Sequence, residues 1–496
     1  MAVKVDTQKE IIFGSSDPNI SRVISKKKKD GELRKLAPRI YTTNLIDSPA
    51  NIVRRNLIEI LAYRYPNALI SHRSAKEMRP TSTGDFFLTN STTRRVTDLP
   101  GIILNFVKGP KATAHDIPFM GMHISGEHRY MLENMQLSRK SGDESRVLPI
   151  SVIENKLEQL LLTGGEERLN QYRDELREVA NELGMADEFS KINNIISALL
   201  STHDARVLST DSAKARASGN PFDANRVGLF EILFDTIKDR YFVIRNNRNT
   251  DEDSFRLFSF FENYFSNYIE GTEFDIEEAK EIVDSGIPMP RRDEDSHDIL
   301  GTFKILSNRT EMRRVPTSPE ELFAILSHRH TILLEGRPHM NPGVFKMRNN
   351  RAGQTEFVDY QLVKGTLSQG FKYYSALTDP FARAIFMMFM ISEVHPFNDG
   401  NGRIARVMMN AEFVRADQSR IIVPTVFRED YILALRKLTR HKDPMAYINV
   451  MTKLHQFSDN LYGSDFTELK NYLAACNAYE EPSQAKLQII DRSIRH

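Results

Sequence analysis

The spacing of apolar residues changes along the chain and predicts different elements in different regions. Before about residue 150, short β-rich runs are broken by Asn, Ser and Pro-Gly turns, as in GDFFLTNSTTRRVTDLPGIILNFV at 84–107. From 151 to 205 the spacing is helical, and Gly164-Gly165 separates VIENKLEQLLL from a long charged helix. Helical spacing returns at about residue 225 and continues nearly to 460. The pattern predicts a mainly α protein with an α+β N-terminal region.

The first 50 residues contain a basic helix. Residues 18–45 predict a helix, a turn at Asp30-Gly31 and then a strand, which is the order of a helix followed by a β-wing. The end of this helix carries Lys26, Lys27, Lys28 and Lys29, and residues 1–50 hold ten basic against six acidic side chains. A lysine run is usually a solvated face. Beside a wing it is equally placed to contact DNA phosphates, so both interpretations stay open.

Bulk composition limits the protein class. The chain has 496 residues, 40% of them hydrophobic and 27% charged, which is typical of a globular protein with several domains. Its formal net charge of +1 creates no global field that would recruit nucleic acid or membrane. A single cysteine, Cys476, excludes an internal disulfide and suits a reducing compartment. We find neither a signal peptide nor an apolar run of roughly 20 residues, so we predict a cytoplasmic protein without membrane contact.

The N-terminal region resembles a known class of regulators. Its segments ISHRSA (70–75), FFLT (86–89) and LPG (99–101) are similar to winged-helix regulator and antitoxin domains of abortive-infection (AbiEi-like) systems. This resemblance implies a regulatory or DNA-binding region over residues 1–150. It assigns no catalytic residue there.

Residues 395–406, HPFNDGNGRIAR, concentrate chemistry between two apolar helices. Asp379 can cap the preceding helix, Pro380 suits its first turn, and FARAIFMMFMISEV is apolar nearly all round. The glycines of the motif open the following helix, where uncrowded backbone N–H groups form an anion hole for phosphates. The sequence GNGRIA also satisfies a dinucleotide-binding pattern, but no apolar strand precedes it.

The side chains of this motif fit phosphoryl-type transfer. His395 can accept a proton from an attacking hydroxyl. Asp399 can hold Mg²⁺, which usually takes only one or two carboxylates. Arg403 and Arg406 are three residues apart on a helix and can both face negative charge.

HPFNDGNGRIAR resembles the Fic family motif HxFx[DE]GNGRxxR at every defined position. The resemblance implies an all-α Fic domain over residues 225–460 that moves AMP from ATP onto a Ser, Thr or Tyr hydroxyl of a protein. It assigns His395 as general base and Asp399 as the magnesium ligand. The implied ATP-binding residues are Phe397, Gly400, Asn401, Gly402, Arg403 and Arg406, with Phe397 anchoring the loop and the other residues contacting phosphates.

Two further features of the Fic family have counterparts here. PGVFKMRNNRAGQTEFVD (342–359) resembles the β-hairpin flap, on which Thr355, Glu356, Phe357 and Val358 would dock a target segment by strand addition. Lys346 stands where the family usually has arginine. The inhibitory pattern [ST]xxxE[GN] matches twice, as SNYIEG (266–271) and TILLEG (331–336).

The surrounding sequence decides between the two inhibitory matches. SNYIEG ends an aromatic-rich helix at about 254–271, far enough before His395 to leave room for other helices and the flap. TILLEG lies too close to the flap. We therefore predict Glu270, with Ser266 and Gly271, as the inhibitory element and Arg406 as its partner; a surface glutamate on a core helix is the alternative.

The remaining candidate residues are weaker. His328 and His330 are two residues apart, which does not place them on one helical face as metal ligands. The tripeptide HDI, at 115 and at 297, has no partner at a useful spacing along the sequence.

We predict four regions and one leading function. The regions are a winged-helix-like region (1–150), a helical connector with a linker at 209–225 (151–224), the Fic domain (225–460) and a C-terminal helical tail (461–496). The leading function is an autoinhibited protein adenylyltransferase that uses ATP and Mg²⁺. The alternatives are a DNA-binding regulator with a Fic core as nucleotide sensor, or transfer of another nucleotide. The target, self-modification and homodimer formation are left open.

Overall fold

The computed structural model describes residues 9–200, 205–290, 292–353 and 355–492. The chain divides into two compact parts, an N-terminal unit (1–218) and a C-terminal unit (219–496). The expected fold class is confirmed. In the described residues, the N-terminal unit mixes strands with helices, and the C-terminal unit is helical apart from one small hairpin and an isolated β-bridge between Asn246 and Gln418. Within the described ranges, no helix combines the length and apolar character that crossing a bilayer requires.

The described part of the N-terminal unit contains eight helices and nine strands. Its helices are α1 (Pro18–Lys29), α2 (Pro49–Arg55), α3 (Leu57–Arg64), α4 (His72–Glu77), α5 (Glu127–Glu133), α6 (Ile150–Leu183), α7 (Ala186–Leu199) and α8 (Asp211–Ala217). Its strands are β1 (Ile11–Phe13), β2 (Arg34–Ala37), β3 (Ile40–Thr42), β4 (Leu69–Ile70), β5 (Asp85–Asn90), β6 (Arg94–Leu99), β7 (Ile102–Lys108), β8 (Ile117–Phe119) and β9 (Met122–Ile124).

These strands form two sheets. The smaller sheet has the order β1-β3-β2 and is antiparallel, with β2 and β3 following the basic helix α1. The larger sheet has the order β6-β7-β5-β4-β9-β8, in which β5 and β7, and β4 and β9, run parallel. Alternating burial along β7 shows that one face of this sheet packs on a core while the other is more open. That core includes Ile52, Ile60 and Phe86 and joins α2 and α3 to the sheet.

Helices α5 to α8 share a second core in the same unit. The long helix α6 is interrupted at Gly165, whose φ of 67° and ψ of −170° are not helical, so the predicted separation at Gly164-Gly165 is confirmed. The prediction of a linker over 209–225 is wrong for part of that stretch, because α8 forms there. Thr210 caps α8 by accepting the N–H of Ala213, and Ala213 is completely buried. The Ser-, Asn- and Gly-rich composition concealed the helix-forming segment DSAKARA.

The described part of the C-terminal unit contains twelve helices and a two-stranded hairpin. The helices are α9 (Ala224–Ile237), α10 (Glu252–Ile269), α11 (Ile276–Ser285), α12 (Asp293–Leu306), α13 (Arg309–Met312), α14 (Pro319–Leu333), α15 (Val363–Ala376), α16 (Pro380–Val394), α17 (Asn401–Arg415), α18 (Arg428–His441), α19 (Pro444–Ser458) and α20 (Phe466–Ala475). The hairpin consists of β10 (Arg351–Ala352) and β11 (Thr355–Glu356).

The centre of the C-terminal unit is the helix pair α16 and α17. Asp379 caps α16 by accepting the N–H of Ala382 at 2.9 Å, and Pro380 occupies the first turn. Nearly every residue of α16 is buried, as its apolar sequence predicts. The loop that joins α16 to α17 therefore starts from two helices that the core holds in place.

Candidate active site

The loop between α16 and α17 forms one wall of a cleft of about 440 Å³ in the C-terminal unit. The other walls come from the end of α10, the β10–β11 hairpin and one side of α18. The cleft combines a histidine, carboxylates, glycines and arginines. These residues include Glu270, Phe357, His395, Asp399, Gly400, Gly402, Arg406, Tyr431 and Arg440.

The loop has a fixed backbone conformation. His395 ends α16 in the left-handed region with φ of 50°, and Gly400 precedes α17 with φ of 71°. Between them, the side chain of Asn401 accepts the N–H of Phe397 and donates to its carbonyl, both at 2.9 Å. Phe397 is completely buried, so its ring anchors the loop and lies out of reach of a nucleotide. Asn401 likewise uses its side chain within the loop.

His395 has one nitrogen occupied and one available. Its Nδ1 lies 2.9 Å from the carbonyl oxygen of Ser392, which can only accept, so Nδ1 carries the proton. The lone pair of Nε2 has no hydrogen-bond partner among the residues that the structure describes. Burial lowers the pKa of His395 to about 4, and the positive charge of Lys346 adds to this effect. The imidazole is therefore neutral at pH 7 and able to accept a proton.

Glu270 lies against the glycines of the motif. A methyl group at Gly402 would overlap with Oε1 of Glu270 unless that carboxylate moved. About one third of the Glu270 side chain is exposed to the cleft. The carboxylate thus occupies the space in front of the α17 N-terminus, where the backbone favours an anion.

Arg406 of α17 binds both Glu270 and the last turn of α10. Its Nη2 donates to Oε1 of Glu270 at 2.7 Å and to the carbonyl of Ser266 at 2.9 Å, while its Nε donates to the Ser266 hydroxyl at 2.9 Å. Burial favours the neutral form of Glu270, but the charge of Arg406 outweighs it and holds the pKa of this carboxyl below its ordinary value. Glu270 and Arg406 therefore form an ion pair inside the cleft.

The end of α10 fixes the position of Glu270. Gly271 adopts φ of 93° and donates its N–H to the carbonyl of Tyr268. The N–H of Thr272 donates to the carbonyl of Asn267. These two bonds make a Schellman motif, which requires a residue such as glycine in the left-handed region. The other matching segment is placed differently: Glu335 follows α14, is largely exposed and pairs with Lys304 at 3.2 Å.

The first arginine of the motif is held by residues that the sequence did not reveal. Arg403 is buried, and its Nη1 lies 2.6 Å from Oδ2 of Asp298 on α12. The same oxygen is 2.6 Å from Nη2 of Arg337, so one carboxylate joins two arginines. Nε of each arginine and Oδ1 of Asp298 have no hydrogen-bond partner within the described structure.

The aspartate of the other HDI segment also pairs with a buried arginine, since Asp116 lies 2.8 Å from Arg129.

Asp399 is the carboxylate within the loop itself. Its Oδ1 accepts the N–H of Gly400 at 2.7 Å, and its Oδ2 is 3.7 Å from both Arg337 and Arg403. No three His, Cys, Asp or Glu side chains of the described residues gather as a metal site. A single half-exposed carboxylate nevertheless fits Mg²⁺ that keeps most of its waters and binds phosphate oxygens.

The β10–β11 hairpin covers His395. Phe357 follows β11 and stacks on the His395 ring with centroids 3.5 Å apart and planes 2° apart. Thr355 accepts a hydrogen bond from Arg440 at 3.1 Å, and Glu356 is exposed. Val358, in contrast, is completely buried, so its side chain packs into the core and cannot contact a target. Period-two alternation could not reveal this, because the strand ends at Glu356.

The sequence left Asp298 unassigned although its position contains a signal. Gly301, Thr302 and Ile305 lie three, four and seven residues after Asp298 and are all buried, which makes Asp298 an acid within an apolar stripe. A buried acid requires a cation or hydrogen-bond donors. His330, dismissed as a metal ligand, is also completely buried beside the motif.

The predicted DNA-contact lysines lie on α1 of the N-terminal unit. Lys26, Lys28 and Lys29 are exposed in the last turn of α1, and Lys27 forms an ion pair with Glu32. A separate cleft of about 740 Å³ in this unit is lined by several arginines, including Arg54 and Arg79.

Comparisons with known proteins agree with the motif. Residues 318–412 match the sequence profile of the Fic/DOC family. Protein adenylyltransferase fic-1 of Caenorhabditis elegans is 30% identical over 115 residues, which cover 23% of this chain and 22% of the relative. Protein adenylyltransferase Fic of Nematostella vectensis is 24% identical over 214 residues, covering 40% and 47% respectively. The chain thus spans less than half of each of these relatives.

Solved structures give a weaker similarity. Fic-1 of C. elegans, residues 134–508, aligns with 16% identity and a TM-score of 0.36, covering 66% of this chain and 92% of that one. A Fic domain signalling protein from Bacteroides thetaiotaomicron aligns with 17% identity and a TM-score of 0.37, covering 48% and 94%. On the strength of the sequence profile and the motif within it, we conclude that this chain carries a Fic/DOC family domain.

Proposed function

We propose that the C-terminal unit transfers AMP from ATP to a hydroxyl group of a protein and releases pyrophosphate. The observation that carries this proposal is the joint placement of a neutral histidine and an arginine-lined anion hole in one cleft. His395 presents a free Nε2, and Gly400 and Gly402 open α17 beside Arg406. The two relatives described above are protein adenylyltransferases, which supports the same chemistry.

The proposed step transfers one adenylyl group, the AMP part of ATP. The hydroxyl oxygen of the target attacks the α-phosphorus of ATP, and its proton passes to Nε2 of His395. The bond from the α-phosphorus to the oxygen that bridges to the β-phosphate breaks, and pyrophosphate leaves. Backbone N–H groups at the start of α17, with Arg403 and Arg406, would hold the phosphate oxygens.

Asp399 would hold Mg²⁺ in this proposal. The bound ion would neutralise phosphate charge and orient the leaving group. Asp399 must then exchange its weak contacts with Arg337 and Arg403 for the ion, and both lie at 3.7 Å, beyond a close ion pair.

The flap would present the target to His395. The β10–β11 hairpin offers an edge strand beside the histidine, and an extended target segment could pair with it. Phe357 lies flat against His395, so it shields one face of the ring and leaves the edge free. Thr355 and Glu356 would contact the target, whereas Val358 holds the flap in place.

The Glu270–Arg406 pair would inhibit this activity. Glu270 fills the space above Gly402 and engages Arg406, so the terminal phosphates of ATP would meet a carboxylate and lose an arginine. Ser266 and Gly271 would serve the inhibition indirectly, one by fixing Arg406 and the other by ending α10 in place. Inhibition is thus expected in the absence of a partner that displaces Glu270.

One observation in the N-terminal unit supports a second function. The exposed lysines at the end of α1 precede the β2–β3 hairpin in the chain. We propose that these lysines contact DNA phosphates, which would make the chain a regulator as well as an enzyme. In the alternative without catalysis, the Fic domain would only sense nucleotide. We place either activity in the cytoplasm.

Mass spectrometry separates these possibilities. The Glu270→Gly variant would be incubated with ATP and Mg²⁺, both as purified protein and in a lysate. Peptides from both samples would then be searched for Ser, Thr and Tyr residues that have gained the mass of AMP. The same variant with His395→Ala should lose the modification, since removing a general base typically costs about 10²–10⁴-fold. Undiminished transfer by the double variant would refute the assignment. Parallel incubations with UTP, CTP and GTP would identify another nucleotide, and nucleotide binding without any transfer would favour the sensor.

A further inference from the structure

His330 contacts both the loop of the motif and the segment that leads to the flap. It lies near the end of α14 and is completely buried. Its Nε2 is 3.0 Å from the carbonyl oxygen of Asp399, and its Nδ1 is 2.9 Å from the backbone nitrogen of Gly343. The ring also stacks on Phe397, with centroids 3.7 Å apart and planes 6° apart. Neither the family motif nor the proposed reaction gives this histidine a task.

The two backbone contacts determine the tautomer of His330. The Gly343 N–H can only donate, so Nδ1 is the acceptor and carries no proton. The carbonyl of Asp399 can only accept, so Nε2 carries the proton and donates it. Burial lowers the pKa of His330 to about 4, which agrees with a neutral ring at pH 7. His330 therefore acts as one donor and one acceptor between two loops.

The contact with Asp399 sets the direction of a peptide group in the anion hole. In a trans peptide the C=O and the following N–H point in opposite directions. Fixing the Asp399 carbonyl toward His330 therefore aims the Gly400 N–H away from it, where it donates to Asp399 Oδ1 at 2.7 Å. This peptide begins the turn in which Gly400 takes φ of 71° and opens α17. A rotated peptide would change both the Asp399 carboxylate and the first N–H of the hole.

The contact with Gly343 fixes the start of the flap segment. Gly343 has φ of 79°, and a side chain there would overlap with the Thr331 hydroxyl, so the segment packs tightly on α14. Three residues later, the N–H of Lys346 donates to the carbonyl of Pro396 at 2.8 Å. The flap segment is thus bound to α14 through His330 and to the motif through Lys346.

We propose that His330 is a positioning residue that orients the Asp399–Gly400 peptide and holds the flap segment in register with the anion hole. This role rests on the proposed function, because the site it orders is the same. The donor at Nε2 serves nucleotide binding, and the acceptor at Nδ1 serves the flap. If His330 only filled the core, replacing it with a residue that keeps the donor or with one that keeps the acceptor should have the same effect.

Three substitutions separate the two nitrogens. His330→Gln places an amide nitrogen near the Nε2 position and keeps a donor for Asp399. His330→Asn places an amide oxygen near the Nδ1 position and keeps an acceptor for Gly343. His330→Leu removes both. His328→Ala, on the same helix with a half-exposed side chain, is the matched control.

All variants would be made in the full chain with Glu270→Gly. Calorimetry with ATP and Mg²⁺ gives the Kd, AMP incorporation gives kcat and KM, and hydrogen exchange of the Gly343 amide reports the flap contact. We expect His330→Leu to lose about 10²-fold in kcat/KM, as a small misplacement of binding groups can do. His330→Gln should recover most of the ATP affinity, and His330→Asn should recover protection of Gly343 but not the affinity.

Two results would overturn the proposal. One is equal ATP affinity for the Gln, Asn and Leu variants. The other is protection of the Gly343 amide that does not depend on the acceptor at residue 330. If His330→Leu does not fold, the comparison of Gln with Asn still decides between the two nitrogens. If the parent with Glu270→Gly transfers no nucleotide, the proposed function fails, while ATP affinity and Gly343 exchange continue to test His330.

Discussion

The carboxylate of Glu270 and the guanidinium of Arg406 meet at 2.7 Å directly above Gly402. One residue comes from the end of α10 and the other from the second turn of α17. The pair occupies the place where the anion hole would receive phosphates. Under the proposed function, the same arginine would have two competing anionic partners, a carboxylate of its own chain and a nucleotide.

Glu270→Gly should activate AMP transfer. The substitution removes the competing carboxylate and leaves the anion hole, Asp399 and His395 unchanged. We expect AMP incorporation to rise at least ten-fold, because ten-fold corresponds to only about 1.4 kcal/mol and a partly buried ion pair can supply that much. Incorporation of labelled AMP by the two proteins at equal concentration measures the effect.

Glu335→Gly is the matched control for this prediction. Glu335 is the glutamate of the other copy of the inhibitory pattern, but its side chain is exposed and pairs with Lys304. We expect no activation from this variant and little change in thermal stability, since exposed pairs contribute about 0–1 kcal/mol. Activation by Glu335→Gly without activation by Glu270→Gly would show that the wrong helix was assigned.

The sequence predicted those parts of the site that are local in the chain. HPFNDGNGRIAR contains the proposed base, the glycines and both arginines, and its neighbouring helices follow from apolar spacing. Contacts between distant segments were beyond such reasoning. Asp298 reaches Arg403 only because α12 packs beside α17, and no spacing along the chain encodes that packing. The choice between the two inhibitory patterns required chain order in addition to the pattern itself.

The direction in which individual side chains point was the second property that the sequence did not predict. The flap was located from its resemblance, but Val358 turns into the core one residue after Phe357, so a four-residue docking segment does not exist as a unit. In the N-terminal unit, the helix over 18–29 and the following strand were correctly predicted. The composition of 209–225 suggested a linker, yet a capped helix with a buried alanine formed there. Local propensity and tertiary burial outweighed the overall composition.

Asp298→Asn should destabilise the C-terminal unit and make its stability more dependent on ATP. Without this carboxylate, buried Arg403 and its neighbour Arg337 lose their shared anion, which we expect to cost about 3 kcal/mol of unfolding free energy. The triphosphate can supply the missing negative charge. The increase in Tm on adding ATP and Mg²⁺ should therefore be larger in the variant than in the wild type.

Asp295→Asn is the control for Asp298. Asp295 lies on the same helix and is 3.7 Å from Arg337, but it is about one third exposed. Its replacement should change the unfolding free energy by less than about 1 kcal/mol and leave the ATP-dependent rise in Tm unaltered. Identical behaviour of the two variants would contradict a special role of Asp298.

The DNA proposal predicts a salt-dependent affinity. If Lys26, Lys28 and Lys29 contact phosphates, the logarithm of the binding constant should fall linearly with the logarithm of salt concentration. Replacing the three lysines with glutamine should reduce that slope by about 0.9 for each lost contact. Fluorescence anisotropy with labelled duplexes, from low to moderate salt, gives the slope. Absence of binding to any duplex at low salt would leave the lysines as a solvated helix end.

The last prediction concerns acid stability and rests on His455. This residue is almost completely buried on α19, where Nε2 lies 2.9 Å from the carbonyl of Ser419 and the ring packs against Phe381 and Phe413. Burial lowers its pKa to about 3, and the positive charge of Arg245 acts in the same direction. The folded state therefore holds the neutral ring well below the pH at which an exposed histidine is protonated.

The direction of the pH effect follows from this lowered pKa. Between pH 6.5 and 3 the unfolded chain binds a proton at His455 and the folded chain does not, so acid stabilises the unfolded state. The contribution is complete above pH 6.5 and decreases as the pH falls, by about 2 kcal/mol at pH 5 for this one group. His455→Gln keeps a donor for Ser419 and cannot titrate. We expect this variant to be less stable than the wild type at pH 7, because the glutamine replaces a packed ring, but to lose less stability between pH 7 and pH 5. Urea unfolding of both proteins at the two pH values measures the difference, and parallel losses in the two proteins would show that His455 is not the titrating group.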